Sequence, residues 1–288
     1  MPSGTRRTKA DMADIRAAIV AFATAEAPVT VRQVFYNLTT RNLVEKSEKD
    51  YGSTVSRLMV EMRESGELDW DLVSDSSREE LVPSMWDGPK DLLTAAASQY
   101  RRNPWADQDV IVEVWLEKGA LSGVLSSVTD RLRVGLFVNR GYGSATFVHD
   151  GAMRIDNRDK PTVMLYYGDW DPSGADMSRD LGDRIERYSA SGDFELHRKA
   201  LDPAIIARYA LPSRPTKSND PRAGKFVGDS VELDAMTPTD LRAMVEADIS
   251  VYLDKKRFDA SMAVEASEKA GLLRIAKRQR QEVPIATP

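Results

Sequence analysis

Two aspartates, Asp169 and Asp171, stand one residue apart directly after the apolar run Val163-Met164-Leu165-Tyr166. At the end of a strand, both carboxylates reach a single metal ion. Upstream, Ile111-Val112-Glu113-Val114-Trp115-Leu116 reads as a second strand and also ends in an acid, Glu117, followed by Lys118-Gly119. Parallel sheets gather their ligands and reactive groups at the carboxyl ends of the strands, so Glu117, Asp169 and Asp171 are expected to converge. Three oxygen donors with no histidine or cysteine nearby suit magnesium, which prefers carboxylate, water and phosphate oxygens.

The elements that must place these acids follow from apolar spacing. Leu121, Val124, Leu125, Val128 and Leu132 recur at helical intervals, and Gly135-Leu136-Phe137-Val138-Asn139 reads as a strand followed by a turn through Arg140-Gly141. A weaker helix spans about Ala145 to Ile155; Met177, Leu181, Ile185 and Tyr188 mark another, and Phe194 to Leu201 a further strand. Strand and helix alternating in this way predict a parallel sheet with right-handed crossovers.

A strand-terminal Glu-Lys-Gly, a glycine turn after the second strand and Asp169-Trp170-Asp171-Pro172-Ser173-Gly174 after the third together resemble a Toprim domain, the metal-binding module of topoisomerases, primases and certain nucleases. The Asp-x-Asp-Pro-x-Gly form is most similar to the A subunit of topoisomerase VI and the meiotic double-strand-break transesterase. The resemblance implies an α/β fold, with an amino-terminal winged helix (CAP-like) ahead of a Toprim Rossmann-like parallel sheet and a carboxyl-terminal helical extension.

The amino-terminal third fits that order. Met12, Ile15, Ile19 and Phe22 share a face of a helix that ends near Ala27-Pro28, and a second helix runs through Arg32-Gln33-Val34-Phe35-Tyr36-Asn37-Leu38. A third turns Val55, Leu58, Met59 and Met62 inward and leaves Ser53, Ser56, Arg57 and Arg63 outward. Leu68 to Val73 alternates as a strand, with Ser74 to Arg78 as a wing tip. A winged helix places its third helix in the DNA major groove, which makes Lys49, Ser53, Arg57 and Arg78 the candidate DNA contacts. Arg32-x-x-Phe35-Tyr36 resembles the family's Arg-x-x-Tyr-Tyr motif, with phenylalanine at the first aromatic position. The resemblance makes Tyr36 the nucleophile that attacks DNA. Arg32, one helical turn away, neutralises phosphate, and Glu117 joins them as a catalytic and metal-holding group. The alternative for Tyr36 is a core position beside Val34 and Leu38.

Composition limits these readings. The 288-residue chain has no cysteine and two histidines, which excludes disulfides and makes a zinc cluster improbable, and its net charge of −5 runs against a generally basic DNA-binding surface. Positive charge is gathered locally, around Arg6-Arg7-Lys9, Lys46, Lys49, Arg57 and Arg63 and again at Lys277-Arg278-Gln279-Arg280. No signal peptide or membrane-spanning run is evident, so a cytoplasmic protein without membrane contact is expected. The divisions read from the sequence are 1–82 for the winged helix with Tyr36, 83–109 for a linker and 110–288 for the Toprim domain and its extension. The resemblance further implies a homodimer acting on double-stranded DNA, with the tyrosine of one protomer meeting the metal of the other. The short segment before Tyr36 points to a minimal, stand-alone form, with any ATPase B subunit absent or supplied by another chain. Three functions remain open: a transesterase working through Tyr36, a Toprim nuclease using water, and a non-catalytic DNA-binding module.

Overall fold

The computed structural model describes residues 7–74, 85–139, 141–216, 226 and 228–278. The chain is α/β, with a four-stranded parallel sheet amid a majority of helix. Contacts divide it into two compact units, one built from Met1–Arg78 with Val112–Ile249, the other from Glu79–Ile111 with Ser250–Pro288.

In the larger unit the strands are β1 (Ile111–Leu116), β2 (Gly135–Val138), β3 (Thr162–Tyr167) and β4 (Phe194–Ala200), in the spatial order β2-β1-β3-β4. The connections leave β1 in one direction and return on its other side, so the strand order reverses between β1 and β3. That is where open α/β sheets place their ligands. β3 is buried along its whole length, as expected for a strand covered on both faces. The crossover helices are α5 (Ser122–Leu132), α6 (Ala145–Asp156) and α7 (Pro172–Tyr188), and α6 and α7 close a core around Trp115, Met164, Tyr166, Leu181 and Ile185. Helix α8 (Pro203–Arg208) follows β4, and α9 (Pro238–Ser250) buries Leu241, Val245 and Ile249. The alternation and every strand and helix expected between 111 and 208 are present.

Ahead of the sheet, α1 (Lys9–Glu26) and α2 (Val31–Thr40) each begin with a threonine capping box, Thr8 with Asp11 and Thr30 with Gln33. Reciprocal bonds of this kind satisfy amide donors that a helix start would otherwise leave orphaned. A π-helical stretch, Asp50–Ser56, runs directly into α3 (Arg57–Glu64), and Val55, Leu58, Met59 and Met62 pack inward against Ile15, Ile19, Phe22 and Leu38.

One local expectation is corrected. Leu68 to Val73 forms no strand: Trp70–Leu72 is a 3-10 turn, and Val73 makes only an isolated parallel bridge with Val29. Asp69 accepts from the amide of Asp71 at 3.1 Å, so a local side-chain bond replaces the ladder that the alternation suggested. The expected wing tip extends to residues outside those described, and Arg78 among them lies outside too.

The smaller unit pairs α4 (Pro89–Gln99) with α10 (Lys255–Arg278). Glu265, almost fully buried, accepts from the amide of Arg102 at 2.8 Å and from Lys269 at 2.6 Å, while the Tyr100 hydroxyl donates to Glu268 at 2.7 Å. Residues 89–99, within the segment read as a linker, are helical. Among the described residues no helix is long and apolar enough to cross a membrane.

Candidate active site

The sheet delivers Glu117 and Asp169 side by side. The amide of Glu117 donates to the carbonyl of Tyr167 at 2.9 Å, and Glu117 Oε2 accepts from the amide of Asp169 at 3.0 Å. Gly168 makes this approach possible, since a Cβ there would lie 2.4 Å from Glu117 Oε2 and 2.8 Å from the Tyr166 ring. Asp171 caps α7, with Oδ1 accepting from the amide of Gly174 at 2.7 Å. A Cβ at Gly174 would come within 2.4 Å of the Asp169 carbonyl, so this glycine is also fixed by close approach. Arg198, from β4, donates to that same Asp169 carbonyl and to the Gly174 carbonyl at 2.9 Å. It thereby ties the acidic turn to the start of α7.

Asp169 is buried and both of its oxygens are engaged. Oδ1 accepts from the amide of Leu233 at 2.8 Å, and Oδ2 lies 3.1 Å from Lys118 Nζ. The same ammonium lies 2.7 Å from Asp234 and 2.9 Å from Glu232. Glu232 also meets Arg32 at 3.3 Å and Arg214 at 3.1 Å. Three carboxylates and three cations therefore form one network at the carboxyl ends of β1 and β3. It borders a cleft of about 590 Å³ lined by Arg32, Tyr51, Arg63, Lys118, Asp169 and Glu232, among others.

Burial and charge set the protonation of these groups in different directions. Burial, reinforced by the Asp169 carboxylate, pushes Glu117 up to about 7, and Asp171 adds to the effect. Burial also raises Asp169, against the opposing pull of Lys118 and the Leu233 amide. Burial works against the charge of Lys118, but Asp234, Asp169 and Glu232 more than reverse it and hold the ammonium above the usual lysine range. At Glu232 burial is likewise outweighed, and Lys118, Arg32 and Arg214 bring it down to about 2.

Tyr36, on α2, is 5% exposed and sits beside this network in its own chain. Burial, then the Glu232 carboxylate, lifts its phenol far above the ordinary tyrosine range. Lys46 Nζ lies 5.3 Å from the Tyr36 ring centroid and the Phe35 ring packs edge-on at 5.8 Å. Arg32 stacks over Tyr51 at 4.5 Å while reaching Glu232. The candidate catalytic residues Arg32, Tyr36 and Glu117 thus belong to one region, joined through Lys118 and Asp169 to Glu232, which no motif contained. Lys49, Ser53 and Arg57 are separate from it and exposed, Lys49 just ahead of the helical stretch that starts at Asp50 and the other two along it.

Glu232, Asp234 and Arg214 were not singled out for chemistry in the sequence. Trp170 and Val231 form an antiparallel bridge with both bonds at 2.9 Å, which stitches the return segment to the Asp-x-Asp turn, and Arg214 in turn bridges Ser230. Only the acidic spacing Glu232-x-Asp234, after an alternating stretch, hinted at it.

No known protein family's sequence profile matches the chain, and no characterised protein matches it in sequence.

The donor chemistry fits a hard divalent cation. Glu117, Asp169 and Asp171 offer oxygen alone, and Glu117 is raised because its charge lies buried beside other negative charge that a cation would offset. Among the described residues no three acidic or imidazole groups are already drawn into a ligand shell, and Lys118 holds the Oδ2 side of Asp169. A cation binding at Asp169 must therefore share or displace that ammonium.

Proposed function

We propose that this chain is a magnesium-dependent DNA-cleaving enzyme, with a Toprim-type site formed by Glu117, Asp169 and Asp171 and a winged-helix-like amino-terminal module. The observation that carries the proposal is the pair of half-buried Glu117 and buried Asp169 at neighbouring parallel strand ends where the strand order reverses, beside a cleft that also presents arginines. Magnesium, when bound by these carboxylates, supplies positive charge for the scissile phosphate and the leaving oxygen. Arg32, one helical turn from Tyr36, would neutralise a phosphate oxygen by exchanging the Glu232 carboxylate for it. Attack by the Tyr36 oxygen on phosphorus would form the phosphotyrosine bond and release the 3′ oxygen. The Glu232 carboxylate faces the phenol whose proton must leave. A homodimer cutting both strands of duplex DNA, in the cytoplasm, completes this proposal.

One observation favours a second reading, in which water is the nucleophile. Tyr36 is buried and its phenol is pushed away from ionisation, the opposite of an activated nucleophile in this conformation. The two readings separate when labelled duplex is incubated with the protein and magnesium, then denatured. A covalent adduct in the wild type that is lost in Tyr36→Phe supports the transesterase, and free-end cleavage undiminished in Tyr36→Phe supports hydrolysis. Cleavage retained by Asp169→Ala overturns the metal-site proposal under both.

A further inference from the structure

Two arginines that line the cleft beside Asp169 are stacked on aromatic rings. Arg32 lies over Tyr51, which also lines the cleft, and Arg63 lies 4.9 Å from the centroid of Trp70, which stands just beyond the lining. These two arginines differ in their charge partners. Arg32 is paired with Glu232, as are Lys118 and Arg214. Arg63 donates through Nε to the Met59 carbonyl at 3.2 Å, and among the described residues no carboxylate pairs with it. It is therefore the cleft-lining arginine whose charge is available to an incoming anion.

Trp70 is 58% exposed although it is one of the largest apolar side chains in the protein. The 3-10 turn fixes its backbone, through the Asp69 cap and a 3.3 Å bond from the Val73 amide to the Trp70 carbonyl. An indole exposed to water with a guanidinium over its ring buries little surface and adds little stability, so packing does not account for its placement. Nucleic-acid channels use the same two chemistries, a cation for the backbone and an aromatic plate for an unstacked base. At about 590 Å³ the cleft falls in the small-ligand range of about 300–1,000 Å³, the scale of a nucleotide rather than of a macromolecular groove.

We infer that Trp70 and Arg63 form a platform for an unpaired nucleotide, the indole or guanidinium plane stacking on its base and the Arg63 charge meeting its phosphate, at the mouth of the cleft that leads to Asp169. This rests on the proposal that DNA is the substrate, and it adds a preference: the site engages strands that are already open, as at an overhang, a gap or a melted segment. Lys49, Ser53 and Arg57 remain the surface for paired DNA.

The test is binding without chemistry. Fluorescein-labelled blunt duplex, the same duplex with an unpaired overhang, and a short single strand are titrated in EDTA and followed by anisotropy. The overhang is expected to bind more tightly than the blunt duplex. Trp70→Ala should weaken overhang and single-strand binding by about 5-fold to 150-fold, with little change for the blunt duplex. Trp70→Phe, which keeps an aromatic plate, should retain most of the affinity. Arg63→Ala should weaken binding and lower the salt slope by about one. Equal wild-type affinity for blunt and overhang DNA, or an overhang preference that survives Trp70→Ala, overturns the inference and leaves the cleavage proposal standing. Failure to bind any of the three DNAs overturns both.

Discussion

Replacing Lys118 by methionine removes an ammonium that lies within 3.1 Å of Asp169, Glu232 and Asp234 while keeping most of the length of the side chain. The three carboxylates are 11%, 9% and 1% exposed at the side chain, against 19% for the lysine. Removing one partner of a buried ion pair costs about 3–5 kcal/mol, because the remaining charge is left uncompensated. The cleft admits water to one side of the network and Arg32 and Arg214 still serve Glu232, so the low end, about 3 kcal/mol, is expected. At a urea slope of about 2 kcal/mol/M, that lowers the unfolding midpoint by about 1.5 M. The sign of the pH dependence follows from Glu232, whose ordinary value of 4.5 is brought down to about 2. A depressed carboxylate contributes stability that is present above 4.5 and lost as pH falls towards 2. The variant forfeits part of that contribution, so its deficit should be largest near pH 7 and should shrink on acidification from 4.5. Urea melts of both proteins at pH 7 and pH 3.5, in EDTA, measure this directly. A deficit below about 1 kcal/mol at pH 7, or one that does not shrink at pH 3.5, refutes the view that Lys118 neutralises this cluster.

Glu117→Gln should behave oppositely. A carboxyl raised from 4.5 to about 7 loses stability as pH climbs through that window, so the variant should match wild type near pH 4 and exceed it by on the order of 2 kcal/mol at pH 8 in EDTA, measured by denaturant melts. Magnesium-dependent cleavage should nevertheless be lost in this variant. Gly168→Ala forces a Cβ into Glu117 and Tyr166, and is expected to cost about 1–3 kcal/mol in melts. In a gel assay its cleavage rate should fall by up to about 100-fold through displacement of Glu117. Arg198→Met frees the Asp169 carbonyl and the start of α7, so cleavage should fall while overhang binding in EDTA stays unchanged.

The acids at the strand ends were legible because their placement depends on local pattern. Apolar runs end at Glu117 and Asp169, and the alternation with helices makes the strands parallel and neighbouring. Leu68 to Val73 misled for a local reason, since Asp69 can bond the backbone two residues on and thereby favours a turn over a ladder. Glu232, Asp234 and Arg214 stayed hidden because what brings them in is a pair of isolated backbone bridges, which carry no side-chain signature. Lys118 was visible as a neighbour of Glu117, and so was its meeting with Asp169, but its other two partners, Glu232 and Asp234, lie in a segment that only the folded chain brings in. Tyr36 is buried as a core residue would be, and it also borders the Glu232 carboxylate, which its position in the motif did not suggest.

The Trp170–Val231 bridge and the bond from the Leu233 amide to Asp169 bind the turn carrying Asp169 and Asp171 to the segment carrying Glu232 and Asp234 on both sides of the same carboxylate. Neither segment can open without breaking the other's amide bonds. In hydrogen exchange the amides of Trp170, Val231 and Leu233 should therefore protect and release together, as one cooperative unit.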